Sequence, residues 1–311
     1  MVIAVNTRFL PKDCLDGYGS YIYETFSRLA KEHPEHKLLF IFDRPHPPKF
    51  VFSGNVVQVV GPQTRNPFFR WWWFKFRIPK ILKKYKADIF VGIHELRNKF
   101  YWVSEKFHPI HFDEREQMKE KYADDNEYFL CTGNVHPAKN LVILLKAFSL
   151  FKKRQKSGMQ LLIAVGADWK NDEFLESLRL FKFRDDVKVQ RNIDIDELAK
   201  ITAAAYTTVY PSSFEGFGMA PLESMRAGVP VLTSNISAIS EICGDAALYF
   251  DPNDPADISQ KMMMIYKDEK LRKEFIEKGF EQVKNYSWEK TSVHLWKQIL
   301  ATEALSYTEK H

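Results

Sequence analysis

Short apolar runs recur along this 311-residue chain, separated by helix-period sequence, and no other feature restricts its fold as much. Such runs, bounded by turn-forming residues, suit strands buried on both faces, which arise where helices cover a parallel sheet. Strand candidates Val2–Val5, Lys37–Phe42, Val56–Val60 and Asp88–Gly92 alternate with helix candidates Ser20–Ala30 and Phe68–Tyr85. From Glu127 the rhythm becomes more regular, with candidates Tyr128–Thr132, Gln160–Val165, Val187–Gln190, Tyr206–Tyr210, Val229–Thr233 and Ala247–Phe250. The expectation is an α/β chain of two doubly wound, Rossmann-like domains, 1–110 and 111–311. The charged run DEREQMKEKYADD reads as the first surface helix of the second domain. After Asp251 and Pro252 come three helical segments, the last near Trp288–Leu305 with Ser287 placed as its N-cap.

A hydrophobic content of 45% provides core for two domains. Cys14, Cys131 and Cys243 are far apart and form no Cys-x-x-Cys pair, which argues against a disulfide framework or a zinc site and fits a reducing cytoplasm. The start MVIAVNTRFL lacks the basic flank and longer apolar core of a secretory signal, and no apolar run of about 18 residues occurs, so no membrane span is expected.

The net charge of +5 hides an asymmetry, because residues 1–110 hold 18 Lys/Arg against 9 Asp/Glu. The stretch Arg65–Lys86 carries eight basic residues and no acidic one around Phe68, Phe69, Trp71, Trp72, Trp73, Phe74 and Phe76. One reading is an amphipathic helix that turns Phe69, Trp72, Trp73 and Phe76 to a core. The other is contact with an anionic membrane, which would place the protein peripherally at the inner face. Helical periodicity leaves nucleic acid as an unexpected partner.

Ligands of doubly wound sheets sit beyond the carboxyl ends of the strands, so the loops there carry the chemistry. After Tyr206–Tyr210 comes PSSFEGFGMAPLESMRAGVPVLTSN, with a helix entered at Pro221 and ended by Gly228. Gly216 and Gly218 let the backbone approach a ligand, and the free N–H groups of a helix start favour a phosphate or a hydroxyl-rich sugar. Glu215 in the loop and Glu223 in the first helical turn are each able to accept two hydrogen bonds from a vicinal diol.

The spacing Glu215-x7-Glu223 within FEGFGMAPLESMRAGVPVLTSN resembles the Glu-x7-Glu segment of the retaining glycosyltransferases of family four, which have the GT-B fold. That resemblance implies that Glu223 binds the nucleotide ribose. It also implies that Glu215 and the backbone of Gly216, Phe217, Gly218, Met219 and Ala220 hold the donor sugar and phosphate. Gly133, Asn134 and Lys139, within Thr132–Leu141, resemble the family's Gly…Pro-Arg-Lys-Asn-Leu segment, which makes Lys139 the cation on the donor diphosphate. Negative charge grows there as the glycosyl–phosphate bond breaks, so Lys139 is the foremost catalytic candidate. Gly17 and Gly19 resemble a Gly-x-Gly loop facing donor and acceptor, and His94 in Ile93–Leu96 resembles a histidine near the sugar. Catalytic roles therefore go to Lys139, Glu215 and His94.

Ala138 stands where the family commonly has arginine and Asn134 where many members have a second basic residue, which leaves the diphosphate under-neutralised unless Arg8 contributes. The resemblance is continuous from about Glu127 to Trp296 but breaks up after Gly92, which implies a reduced N-terminal domain. The implied function is transfer of a hexose from a UDP- or GDP-sugar to a hydroxyl of a glycan or glycolipid, without cofactor or metal. The alternative is a non-catalytic or truncated nucleotide-sugar-binding protein or partner subunit. An epimerase or phosphorylase of similar fold explains the Glu-x7-Glu context poorly.

Overall fold

The computed structural model describes residues 1–7, 17–42, 53–61, 71–92, 103–133, 137–166, 172–215 and 218–308. The chain divides into two compact units, Met1–Trp102 with Tyr286–His311, and Val103–Asn285.

The first unit contains β1 (Val2–Asn6), α1 (Gly17–Glu32), β2 (Lys37–Phe42), β3 (Val56–Val60), a π-helical turn (Trp73–Arg77) running into α2 (Ile78–Tyr85), and β4 (Ile89–Val91). All strand pairings are parallel, in the order β3-β2-β1-β4. One face of this sheet packs Ala4, Leu39 and Ile41 against Trp73, Ile78 and Ile81. The Trp73 indole lies against Gly61, where an added Cβ would come within 1.9 Å of the ring. Only glycine leaves that passage open, so Gly61→Ala displaces the indole. Trp73 is wholly buried, and its replacement by alanine is expected to cost the unit about 3–5 kcal/mol in urea unfolding, with a smaller loss for Gly61→Ala.

The second unit opens with α3 (Phe112–Ala123) and continues through β5 (Tyr128–Gly133), α4 (Leu141–Arg154), β6 (Gln160–Val165), α5 (Asp172–Arg179), β7 (Val187–Arg191) and α6 (Ile195–Ala204). It then winds back through β8 (Thr207–Tyr210), α7 (Met219–Arg226), β9 (Val231–Ser234), α8 (Ser237–Cys243), β10 (Ala247–Phe250), α9 (Pro255–Lys267) and α10 (Glu269–Val283). The parallel sheet has the order β10-β9-β8-β5-β6-β7.

Alternation along each strand sends neighbouring side chains to opposite faces. Phe129, Cys131, Leu161 and Ile163 join α4 and α9 on one side, while Tyr128, Leu130, Leu162 and Ala164 join α3 and α6 on the other. Helices on both faces explain why these strands read as unbroken apolar runs.

The last helix, α11 (Trp288–Thr308), starts where the Ser287 hydroxyl accepts the Lys290 N–H at 3.2 Å. It belongs to the first unit, although the sequence reading placed it with the second. Leu295 and Ile299 are buried, and Trp296 stacks on His33, just beyond α1, at 3.8 Å between ring centroids. The division between units falls at Trp102–Val103, a few residues before the expected position near 110. No described helix is long and apolar enough to cross a membrane.

Candidate functional site

The second unit reverses its winding between β5 and β8: the chain runs outward through β6 and β7, then returns to β8 and continues to β10 on the other side. Such a reversal opens a crevice at the carboxyl ends of the two strands, because their following loops depart to opposite sides. Gly133 ends β5 and Tyr210 ends β8 at this place.

Two segments meet there. A short 3-10 turn, Pro137–Lys139, follows β5, and the loop from Pro211 to Glu215 follows β8. They are joined by the Ser213 N–H donating to the Ala138 carbonyl at 2.8 Å. The Lys139 ammonium then forms an ion pair with the Glu215 carboxylate. Their side chains are only 17% and 18% exposed, so water screens the pair weakly. Ser212, wholly buried, donates its hydroxyl to the same Glu215 oxygen at 3.0 Å. The carboxylate is therefore oriented from two sides.

Gly133 makes this arrangement possible. Its φ of +142° lies outside the range natural to L side chains, and a Cβ there would sit 2.9 Å from both Cε and Nζ of Lys139. The lysine folds back across the end of β5 through the space a side chain would take. Gly133→Ala is expected to push Lys139 off Glu215, lowering a Lys139-dependent activity at least tenfold. Its backbone strain costs about 1–2 kcal/mol in thermal unfolding. Next along, Asn140 adopts φ +57° and donates its amide to the Pro252 carbonyl at 2.6 Å, which ties the entry of α4 to the end of β10.

The second acid, Glu223, lies on α7. That helix begins at Met219, capped by Gly218 at φ +90°, two residues before the expected entry at Pro221. Glu223 consequently sits beyond the first turn, which holds no acid at all. A first-turn macrodipole role is thereby removed. The helix ends at Arg226, and Gly228 at φ +75° turns the chain toward β9 beneath Phe280, whose ring leaves 2.9 Å for a Cβ.

Glu223 is partly buried, and among the described residues no side chain donates to its carboxylate. Burial without a partner penalises the charged form and pushes its carboxyl up to about 7. An unpaired acid beside the crevice is ready to take hydrogen bonds from a ligand.

Tyr210 holds α7 in place. Its hydroxyl lies 2.9 Å from Ser224 Oγ, 3.2 Å from the Ala220 carbonyl and 3.3 Å from Thr132 Oγ1, which joins α7 to β8 and β5. Neither Tyr210 nor Ser212 was singled out from sequence. A hydroxyl three residues before Glu215 was the available sign for Ser212, whereas Tyr210 reads simply as the last residue of a strand.

Gly133, Lys139 and Glu215 thus come together, and Gly218, Met219, Ala220 and Glu223 follow on the same β8–α7 connection. Gly17 and Gly19 occupy the first turn of α1, in the other unit, so the expected loop is already helical there. Asn134, Gly216, Phe217, His94 and Arg8 lie outside the described residues. Among the described residues no cluster of His, Cys, Asp and Glu is arranged to hold a metal ion. Burial pushes the Cys131 and Cys243 thiols up to about 12, which leaves both unsuited to nucleophilic work.

The family model described as Glycosyl transferases group 1 matches residues 112–282, more than half of the chain. O-antigen chain mannosyltransferase B of Escherichia coli is 33% identical over 162 residues, 52% of this chain and 42% of that protein. The serotype-specific mannosyltransferase WbdA of Escherichia coli is 30% identical over 199 residues, 61% of this chain and 24% of that protein. The chain spans less than half the length of these relatives. A glycosyltransferase from Rickettsia africae superposes with a TM-score of 0.71 at 16% identity, covering 96% of this chain and 98% of its own. The two parallel α/β sheets therefore match the GT-B architecture.

Proposed function

This chain belongs to the glycosyl transferases group 1 family, and on that premise we propose a retaining enzyme of family four. It moves a hexose from a UDP- or GDP-sugar to a hydroxyl of a glycan or glycolipid. Matched relatives named as mannosyltransferases favour mannose as the hexose. One observation carries the reading: the Lys139–Glu215 pair closes over the β5/β8 crevice with the unpaired Glu223 on the adjoining helix.

In this reading the carboxylate of Glu223 accepts hydrogen bonds from the ribose diol. The donor diphosphate draws the Lys139 ammonium away from Glu215. The freed carboxylate, still oriented by Ser212, takes the sugar hydroxyls. As the glycosyl–phosphate bond breaks, electrons move onto the departing phosphate, where the ammonium lowers the barrier without a metal. Gly17 and Gly19 keep the role toward donor and acceptor that the family resemblance implies, His94 keeps the role toward donor or acceptor, and the N-terminal domain is taken as reduced. A cytoplasmic site of action follows from the supply of activated sugars.

A second reading is a nucleotide-sugar-binding subunit without transfer, and it rests on the family resemblance breaking up after Gly92. Incubation with radiolabelled GDP-mannose or UDP-glucose and a mixture of glycan acceptors separates the two. Label retained in a glycosidic bond of unchanged anomeric configuration supports transfer. Saturable binding with all label still on the donor supports the binding subunit, and the absence of binding rejects both.

A further inference from the structure

The cationic aromatic stretch of the first unit is where structure and sequence part most. An ordinary amphipathic helix would turn Phe69, Trp72, Trp73 and Phe76 to one core-facing side, and of these Phe69 lies outside the described residues. Among the described rings of this cluster Trp73 is buried, whereas Trp71, Trp72, Phe74 and Phe76 are 52%, 38%, 38% and 43% exposed.

The cause is local. Pro79 lacks the N–H that would bond the Lys75 carbonyl, and its ring crowds that carbonyl. The chain answers with a π-helical turn over Trp73–Arg77, closed by the Ile78 N–H donating to the Trp73 carbonyl. The π-turn shifts the helical phase between Trp73 and the residues after it, so Phe76 does not share the buried face of Trp73.

Cations surround the exposed rings. Lys75, Arg77, Lys80, Lys83, Lys84 and Lys86 are all exposed, and among the described residues none forms an ion pair with a carboxylate. Lys75 Nζ stands 4.7 Å over the Trp71 ring, so charge and aromatic surface are interleaved. Repelling acids are absent from the whole of Arg65–Lys86.

We propose that the exposed rings of Trp72 and Phe76, with Trp71 and Phe74 beside them and the lysines of α2 around them, form a docking surface for an anionic phospholipid bilayer. Tryptophan and phenylalanine rings settle at the boundary of headgroups and acyl chains, while lysine stems lie along apolar surface and keep their ammonium groups among the phosphates. Neither signal anchors firmly alone, and the two together do. The patch lies in the first unit and is independent of the nucleotide-sugar reading, so either can fail without the other.

Flotation of the full chain with phosphatidylcholine vesicles, with and without phosphatidylglycerol, tests this. Binding is expected only to the anionic vesicles and is lost as salt is raised. The variant Lys80→Glu/Lys83→Glu/Lys84→Glu is expected to lower partitioning at least about a hundredfold, at about fivefold for each lysine removed and more from the added acids. Trp72→Ala/Phe76→Ala weakens binding while leaving its salt dependence, and both variants keep the native melting temperature because every altered side chain is exposed. Equal binding to neutral and anionic vesicles, or unchanged partitioning of either variant, overturns the proposal. So does tight capture of a single-stranded oligonucleotide with no vesicle binding.

Discussion

Replacing Lys139 by alanine is expected to lower sugar transfer by about two to three orders of magnitude, with most of the loss in kcat. The ammonium is the described cation that reaches Glu215 at the crevice, and the family position that would add an arginine holds Ala138. No second charge therefore stands in reserve in that segment when the leaving phosphate develops its negative charge. Lys139→Arg should recover little. The side chain passes within 2.9 Å of where a Gly133 Cβ would lie, and a planar guanidinium does not fit so close a path to the end of β5. Steady-state kinetics with a saturating donor measures both variants. Equal kcat values in Lys139→Ala and the native chain would remove the lysine from the chemistry.

Glu223→Gln is expected to weaken nucleotide-sugar binding by about tenfold to a hundredfold, the usual worth of hydrogen bonds to a charged acceptor in a half-buried place. The same substitution should alter two pH dependences. Burial raises this carboxyl from its ordinary value of 4.5 to about 7, so the folded chain holds its proton more tightly than the unfolded chain. The resulting stabilisation is present in full below about 4.5 and is lost as pH rises through about 7. It amounts to roughly 3 kcal/mol at most by linkage.

On the proposed role of Glu223, donor affinity runs the other way, because only the ionised carboxylate would accept from both ribose hydroxyls. Affinity of the native chain should therefore rise between pH 6 and pH 8 while the melting temperature of the free chain falls. Glu223→Gln flattens both trends. Calorimetric titrations and thermal unfolding at matched pH values provide the check, and parallel slopes in the native and variant chains would contradict the assignment.

Much of the fold was legible because buried parallel strands write themselves as apolar runs. Lys37–Phe42, Val56–Val60, Gln160–Val165 and Ala247–Phe250 form over the residues that the pattern indicated. The joining of Lys139 to Glu215 was implied by motif resemblance, yet the ion pair itself was not, since nothing in either segment reports that Gly133 leaves a channel between them. The start of α7 was misplaced because Pro221 looks like a first helical residue, while the Gly218 cap that sets the boundary is visible only through its left-handed φ. The terminal helix was assigned to the wrong neighbour because its partner, α1, is remote in sequence and the Trp296–His33 stack leaves no periodic signature. Pro79 was in plain view. Its consequence, a π-turn that takes Phe76 off the buried face of Trp73, depends on backbone hydrogen bonds that composition does not encode.

The proposed grip of this β5/β8 crevice on a sugar-linked nucleotide is tested most directly by calorimetric titration of the native chain and Glu223→Ala with GDP-mannose and UDP-glucose. Saturable binding of at least one donor by the native chain, reduced at least tenfold in the variant, is the predicted result. Identical isotherms for the two chains, or no heat from either donor with the native chain, would contradict it.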